Sequence, residues 1–578
     1  MKPQRNDGTN PVLDRGRFAV PHDGRSRRDL LSVAVAIVLF GATAASAGRS
    51  EITFESKAYR VGSGVHNGTT SEVRVAYTHL IDSFGAAWMR VRFGDYELGK
   101  NSYVVLQSTV DDEWQRFDAR TLPEWQSHSG IFNGDAVVVE LHVAPGDRGV
   151  FVEVDGVVIG RVDAEEAPAE GPGGVASLCG ADDRTPSSNA RVGRIWFNAP
   201  NPPNPNPARG GGGCTAWLVA NGAVLTAGHC VDQDPDSINN ASCGSGIPPA
   251  CCTSALPDGV IDAGFLNAVV EFNVPASLSN GVPVAASTND QYPVDGAFFA
   301  WQYPGCDQNS NFVDIQTNGV GTDWAVFSLG RNANTLLRAH IAQGAFHRVA
   351  ALACTDDCTT CVEGYGVDNT PFGTLDSRCL DNGANLDRAC TNTTNNCIGT
   401  APECPGGLCC PPAGNNNARH LTQQRACGPY EDFHSEGTRR WHEYSADTTG
   451  ATSGSPVTVD VGGRIYAIGI NTHSGCPDGG NIGTAFIHAT LSQWLNDFLG
   501  PRTVYADSGW GPCIQACDGT IVEPFPTVTA AVQAVGHGRT IGIVRGNYPA
   551  SAGNTFTAGA DGRAMTLVAP VGTATIGN

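Results

Sequence analysis

Apolar residues along this chain fall in short runs separated by glycine, proline and asparagine, a strand-and-turn pattern rather than a helical one. From residue 50 to about 165 the runs contain no cysteine, and Ser102–Leu106 and Ala136–Leu141 read as strands. Asn133-Gly134 and Asp155-Gly156 predict hairpin turns, the second between Val152–Val154 and Val157–Ile159. A β-sandwich-like domain over 50–165 is the expected result. Glu165 to Gly174 breaks the pattern and reads as a linker. Val192–Phe197 is a further short strand, followed by a stretch of Asn, Pro and Gly that must be an exposed loop. From Thr503 the character changes. Pro524 to Val535 predicts a short helix, and Arg539–Val544 and Met565–Val568 are strands about 25 residues apart, the spacing of a parallel β-helix-like module over 503–578. A solenoid buries its faces only by stacking several rungs, so this module is expected to be truncated, completed by a partner or differently folded.

With 578 residues the chain exceeds a single core, and three or four domains are expected. The 71 glycines suit many tight turns and an all-β fold. A net charge of −21 without a basic patch excludes a nucleic-acid partner. Lysine occurs only at Lys2, Lys57 and Lys100, which removes a Ser–Lys dyad from the central region. All 20 cysteines lie between Cys179 and Cys517, which favours disulfides formed outside the cytoplasm. Residues 1–47 agree. Paired Arg27-Arg28 precede an apolar run from Leu30 to Phe40 and Ala45-Ser46-Ala47, an export signal cleaved after Ala47, of twin-arginine or ordinary secretory type. That run is too short to span a bilayer, and no membrane span is expected elsewhere. The expected location is therefore secreted or extracytoplasmic, in a periplasm or at a cell surface.

Cys379 to Cys410 forms a cysteine-rich insertion with six cysteines. It lacks paired C-x-x-C spacing and histidine, so disulfides rather than zinc are expected to hold it. The acidic run Asp232–Asp236 has carboxylates at alternate positions, as a calcium loop would, but a solvated loop is the simpler expectation. No metal and no cofactor are predicted.

The densest chemistry lies in three segments. Cys214 to Cys230 reads C-T-A-W-L-V-A-N-G-A-V-L-T-A-G-H-C and places His229 at the end of an apolar run. Gly321–Val326 (G-T-D-W-A-V) contains Asp323, and Asp447–Val457 (D-T-T-G-A-T-S-G-S-P-V) contains Ser453. A serine hydroxyl needs a base within hydrogen-bond reach, and an imidazole base needs a carboxylate to fix its tautomer. His229, Asp323 and Ser453 supply these three groups, in the order of the chymotrypsin-type triad. Each residue alone has an ordinary structural explanation; the three in this order do not.

These segments resemble the trypsin-like serine proteases, and among them the bacterial glutamyl-endopeptidase branch, with its T-T-G-G-N-S-G-S-P-V. Gly364-Tyr365-Gly366, Cys427–Tyr430, Ala467–His473 and Asp182–Thr185 add to the likeness, which covers residues 180–499. The resemblance implies a chymotrypsin-like double β-barrel with the triad in the cleft between barrels. It also implies a secreted zymogen, so that residues 48 to about 178 would be a prosegment or an accessory domain. It implies a Cys214–Cys230 disulfide, and an oxyanion hole from the N–H groups of Ala451 and Ser453. The function it implies is hydrolysis of peptide bonds in a protein or peptide substrate through an acyl-enzyme. The competing readings are a catalytically weakened protease-fold binding protein of the cell surface or envelope, contacting glycan or protein through its flanking β-modules, and an esterase using the same triad.

Two departures stand out. Ala451 replaces the family glycine, and Thr452 follows it where the family has Asn or Asp. A positive φ is free for glycine and costly for alanine. For the specificity pocket, the resemblance points to Thr448 and Asn471. His473 joins them if its strand is regular, and Asp447 would favour a basic substrate side chain if it faced the pocket. Acidic, basic and small side chains all stay open.

Overall fold

The computed structural model describes residues 51–163, 179, 183–196, 213–231, 263–278, 282–303, 305–306, 312–313, 319–354, 358–366, 391–392, 397–398, 420–476, 480–514, 516–554 and 563–577. The expected export signal, the 165–174 linker, Asp182, the acidic run and all but two short segments of the cysteine-rich insertion lie outside the described residues.

The N-terminal strands are β1 (Glu51–Gly62), β2 (Arg74–Asp82), β3 (Ala86–Glu97), β4 (Tyr103–Ser108), β5 (Trp114–Phe117), β6 (Phe132–Asn133), β7 (Ala136–Val143) and β8 (Phe151–Asp163). They form two four-stranded sheets, β1-β8-β3-β6 and β2-β7-β4-β5. β7 shows why they face each other. Val137, Val139, Leu141 and Val143 are buried, while Val138, Glu140 and His142 on the other face are half-exposed. The buried set packs with Trp88, Met89, Val91 and Phe93 of β3, each side chain contributing roughly 1.5–3 kcal/mol of apolar burial.

Both expected hairpins are corrected. Asp155-Gly156 is no turn, because β8 runs straight through it and pairs antiparallel with β1 on one side and β3 on the other. Glycine stands there because the Arg92 guanidinium crosses the backbone, 3.0 Å from where a Cβ would sit, and Asp155 holds Arg92 at 2.7 Å. Asn133-Gly134 does turn the chain, with Gly134 at φ +87°. It joins strands of different sheets, since β6 pairs with β3 and β7 with β2 and β4.

The central region holds β9 (Thr185–Pro186), β10 (Val192–Trp196), β11 (Cys214–Leu218), β12 (Val224–Thr226), β13 (Val269–Glu271), β14 (Gln291–Gln302), β15 (Gly305–Cys306), β16 (Phe312–Val313) and β17 (Trp324–Leu329). It continues with β18 (Arg348–Val349), β19 (Thr359–Gly366), β20 (Thr391–Asn392), β21 (Cys397–Ile398), β22 (Thr422–Glu436), β23 (Arg439–Tyr444), β24 (Pro456–Val461), β25 (Arg464–His473) and β26 (Asn481–Ala485). Six of these close a barrel in the order β10-β11-β12-β17-β14-β13. A second ring runs β19-β22-β23-β26-β25-β24 and closes by the pairing of β25 with β26. The fold is therefore all-β, with two antiparallel barrels of chymotrypsin type. Inside the first, Arg194 pairs with Glu271 at 2.7 Å, both fully buried.

The N-terminal sheets do not stand apart from the first barrel. Trp88 meets Trp196 edge to face at 5.3 Å. Ile131 and Gln291 exchange two hydrogen bonds of 2.7 and 2.9 Å. Glu113 accepts from Ser287 Oγ and from the Thr288 backbone, both at 3.0 Å. Trp196, Val269 and Ala285 of the barrel belong to the apolar core of the sheets.

Beyond the second barrel, β27 (Val504–Ala506), β28 (Arg539–Ile543) and β30 (Met565–Val568) form a parallel ladder with Arg539 opposite Met565. β29 (Gly546–Tyr548) and β31 (Ala574–Ile576) form a second parallel pair. The expected helix is Val528–Ala534, capped by Thr527 Oγ1 accepting from the Ala530 N–H at 3.2 Å. Asp507 and Arg348 join this region to the barrels at 2.6 Å. Among the described residues no helix is long and apolar enough to cross a membrane.

Candidate active site

β12 pairs antiparallel with β17, with Thr226 opposite Ala325. That register places the residues just after β12 beside those just before β17. His229 lies in the single 3₁₀ turn Gly228–Cys230, and Asp323 immediately precedes Trp324. The turn requires glycine at 228, because a Cβ there would come within 2.1 Å of the Gln302 carbonyl oxygen. Asp323 then grips the turn twice. Its Oδ1 accepts the His229 backbone N–H at 3.0 Å, and its Oδ2 stands 2.6 Å from His229 Nδ1. A carboxylate only accepts, so Nδ1 carries the hydrogen and Nε2 is left as a lone pair.

Asp323 is fully buried and the His229 side chain is 16% exposed. Burial opposes the charged imidazolium, but the Asp323 charge and hydrogen bond outweigh it, and the His229 pKa is raised above its ordinary 6.5. The Tyr303 ring lies beside the imidazole, centroids 5.7 Å apart. Cys214 and Cys230 form a disulfide with Cα atoms 6.2 Å apart. These sulfurs lie close to the imidazole, but in a disulfide they offer no thiolate to a metal.

Ser453 reaches the same place from the second barrel, on the turn that precedes β24. Its carbonyl accepts from the Thr215 N–H at 2.8 Å and lies 4.0 Å from Cys230 Sγ. The next carbonyl, of Gly454, accepts from Trp217 Nε1 at 3.0 Å. Gly454 has φ +89°, and a Cβ on it would come within 2.2 Å of the Thr215 oxygen, so the S-G-S-P glycine lets this turn press against β11. The Ser453 hydroxyl makes no hydrogen bond to a described residue.

Ala451 has φ +69°. The Thr452 N–H donates to the Thr449 carbonyl at 3.1 Å, so Ala451 occupies the third position of a turn that demands positive φ there, as in type II. A non-glycine residue pays about 1–2 kcal/mol for this region. Thr215 Oγ1 holds the Ala451 carbonyl at 3.1 Å. Neither the Ala451 nor the Ser453 N–H donates to a described residue.

The expected pocket residues Asp447, Thr448 and Asn471 are buried, and Asp447, Asn471 and His473 make hydrogen bonds within the protein. Asp447 is buried rather than in solvent: its Oδ1 accepts the Cys179 N–H at 2.7 Å and its Oδ2 the Asp183 N–H at 2.9 Å. Asn471 is buried between Tyr444, whose hydroxyl donates to its Oδ1 at 2.6 Å, and the Thr452 carbonyl, which its Nδ2 reaches at 3.1 Å. Thr448 is buried as well. β25 is not regular at its end. A bulge between Asn471 and His473 inserts Thr472 opposite Gly483–Ile482, so the shared face that a plain strand gives residues two apart is lost between them. His473 Nδ1 lies 2.9 Å from Thr472 Oγ1. Thr215, Thr449 and Arg184 lie inside the quoted segments, but that Thr215 holds the Ala451 carbonyl and Arg184 the Thr449 hydroxyl appears only in the tertiary structure.

No family model matches this chain, and no curated protein matches it. Solved structures do. A thermostable serine protease, AL20, from an extremophilic microorganism is 14% identical over 52% of this chain and 92% of its own, with a TM-score of 0.28. A Glu endopeptidase solved in complex with MPD is 16% identical over 55% and 98%, with a TM-score of 0.28. Protease Anisep from Arthrobacter nicotinovorans is 11% identical over 52% and 91%, with a TM-score of 0.27.

Proposed function

We propose that this chain is a serine endopeptidase acting outside the cytoplasm through His229, Asp323 and Ser453. The observation that carries the reading is the double hold of Asp323 on His229, with the Ser453 turn anchored to the neighbouring residues Thr215 and Cys230.

In the proposed reaction His229 Nε2 takes the Ser453 Oγ proton as the oxygen attacks the scissile carbonyl. Asp323 stabilises the imidazolium that forms. The carbonyl oxygen becomes an oxyanion, and the N–H groups of Ala451 and Ser453, which donate to no described residue, are available to hold it. His229 then gives its proton to the departing amine, and water repeats the sequence on the acyl-enzyme. Five disulfides among the described residues support an oxidising compartment: Cys179–Cys476, Cys214–Cys230, Cys354–Cys358, Cys361–Cys427 and Cys513–Cys517.

Cleavage of a mixed peptide library, mapped by mass spectrometry, tests this reading and reports side-chain preference together. Peptide bonds cut by the wild type and left intact by Ser453→Ala support it; equal products from both reject it. The strained Ala451 favours one second reading, a weakened protease-fold binding protein. Full binding of a cell-surface glycan or protein by Ser453→Ala, with no turnover by either protein, would favour that reading.

A further inference from the structure

We propose that Asp447 and Arg184 are positioning residues that hold the nucleophile turn in its left-handed shape, acting through the segment that Cys179–Cys476 ties to the second barrel. The proposal rests on the serine-hydrolase reading above.

A left-handed alanine persists only where its surroundings over-determine it. Here the determinants can be followed bond by bond. Ala451 sits between Thr449 and Thr452, and the Thr452 hydroxyl closes the turn. It donates to the Thr449 carbonyl at 2.5 Å and accepts the Thr449 N–H at 3.3 Å. The remaining polar atom of Thr449, its own hydroxyl, takes a hydrogen bond from Arg184 Nη1 at 2.8 Å. Two residues earlier, Asp447 binds the backbone of Cys179 and Asp183 with its two carboxylate oxygens. The turn is thus fastened at both Asp447 and Thr449 to one neighbouring segment, and that segment is fixed covalently by Cys179–Cys476.

Asp447 and Arg184 are 4% and 5% exposed. Charges this deep are held by the hydrogen bonds they make, and removing a partner is felt by whatever they brace. What they brace is the shape of the turn that presents the Ala451 and Ser453 N–H groups. A small displacement of oxyanion donors lowers turnover more than it lowers substrate affinity, because the interaction is made mainly in the transition state. Asp447 therefore acts on catalysis through the loop and does not read the substrate side chain.

The test uses the full-length chain, before and after trimming of its N-terminal region, with Asp447→Asn, Arg184→Ala and Arg184→Lys. Each is assayed for kcat, KM, library cleavage profile and the rate of fluorophosphonate uptake. We expect kcat and probe uptake to fall about ten- to a hundredfold, with KM within about threefold and the profile unchanged. Arg184→Lys should recover part of what Arg184→Ala loses. A changed cleavage profile in Asp447→Asn, or unchanged kcat beside a lower melting temperature, overturns the proposal. Should Asp447→Asn fail to fold, Thr449→Val, which removes only the acceptor of Arg184, is read by the same criteria. Unaffected variants of an active wild type overturn this proposal alone. A wild type that takes up no probe in either form overturns the hydrolase reading and this proposal with it.

Discussion

Asp323 binds His229 twice, through the ring Nδ1 at 2.6 Å and through the backbone N–H at 3.0 Å. The double contact sets both the tautomer of the ring and the position of the turn that carries it. Asp323→Asn presents an amide that can donate to Nδ1, which favours the wrong tautomer. The expected loss is on the order of ten-thousandfold in kcat, with the fold retained. Steady-state kinetics beside circular dichroism check both halves.

The raised His229 pKa fixes a direction for pH dependence. In the proposed reaction the base works only when neutral, so activity is expected to fall as pH drops through the raised pKa of His229. Asp323→Asn moves that fall to lower pH. The same shift is a stability term with a defined sign. A folded pKa above the unfolded value contributes stability that is fully present below pH 6.5 and is lost as pH rises through the folded pKa. Subtracting the melting curves of Asp323→Asn from those of the wild type across this range reads the effect.

Ala451→Gly removes the cost of the left-handed alanine, about 1–2 kcal/mol, against about 0.4–1 kcal/mol of added unfolded-chain entropy. The net expectation is a gain of roughly 0.5–1 kcal/mol and no loss of turnover. Ala451→Val, β-branched at the same φ, should lose stability. Urea unfolding midpoints of the pair decide the matter.

Opening the Cys214–Cys230 disulfide by replacing both cysteines with serine frees a loop of about 15 residues, which corresponds to about 3 kcal/mol in the chain-entropy model. The loop includes β11, against which the Ser453 turn rests. Stability and kcat should fall together, as denaturant titration and kinetics would show.

The N-terminal sheets share apolar core and buried hydrogen bonds with the first barrel. A chain cut between residues 164 and 178 should therefore elute as one particle in gel filtration, separating only in denaturant. Release of the N-terminal fragment in native buffer would show that the shared core does not hold it.

Much of this architecture was legible in the sequence because strand signals and chemical motifs are local. T-A-G-H-C placed His229 at the end of an apolar run, and the disulfide that the resemblance implied for Cys230 is present. The replacement of glycine by Ala451 pointed to a strained position before any coordinates, and φ +69° is the strain itself. What stayed hidden depends on partners distant in the chain. Asp155-Gly156 carries the signature of a hairpin, yet its glycine answers to Arg92 on a neighbouring strand. Asp447 could be placed near the serine, but its partners Cys179 and Asp183 lie 268 and 264 residues away. The bulge after Asn471 follows from cross-strand register with Gly483, which no alternation pattern encodes.

The central claim is that imidazole, carboxylate and hydroxyl act as one unit, and covalent capture tests it most directly. Full-length protein treated with a fluorophosphonate, digested and mapped by mass spectrometry, should carry one adduct, on Ser453, and His229→Ala should abolish it. A folded wild type with no adduct at Ser453, or with labelling indifferent to His229, would contradict the account.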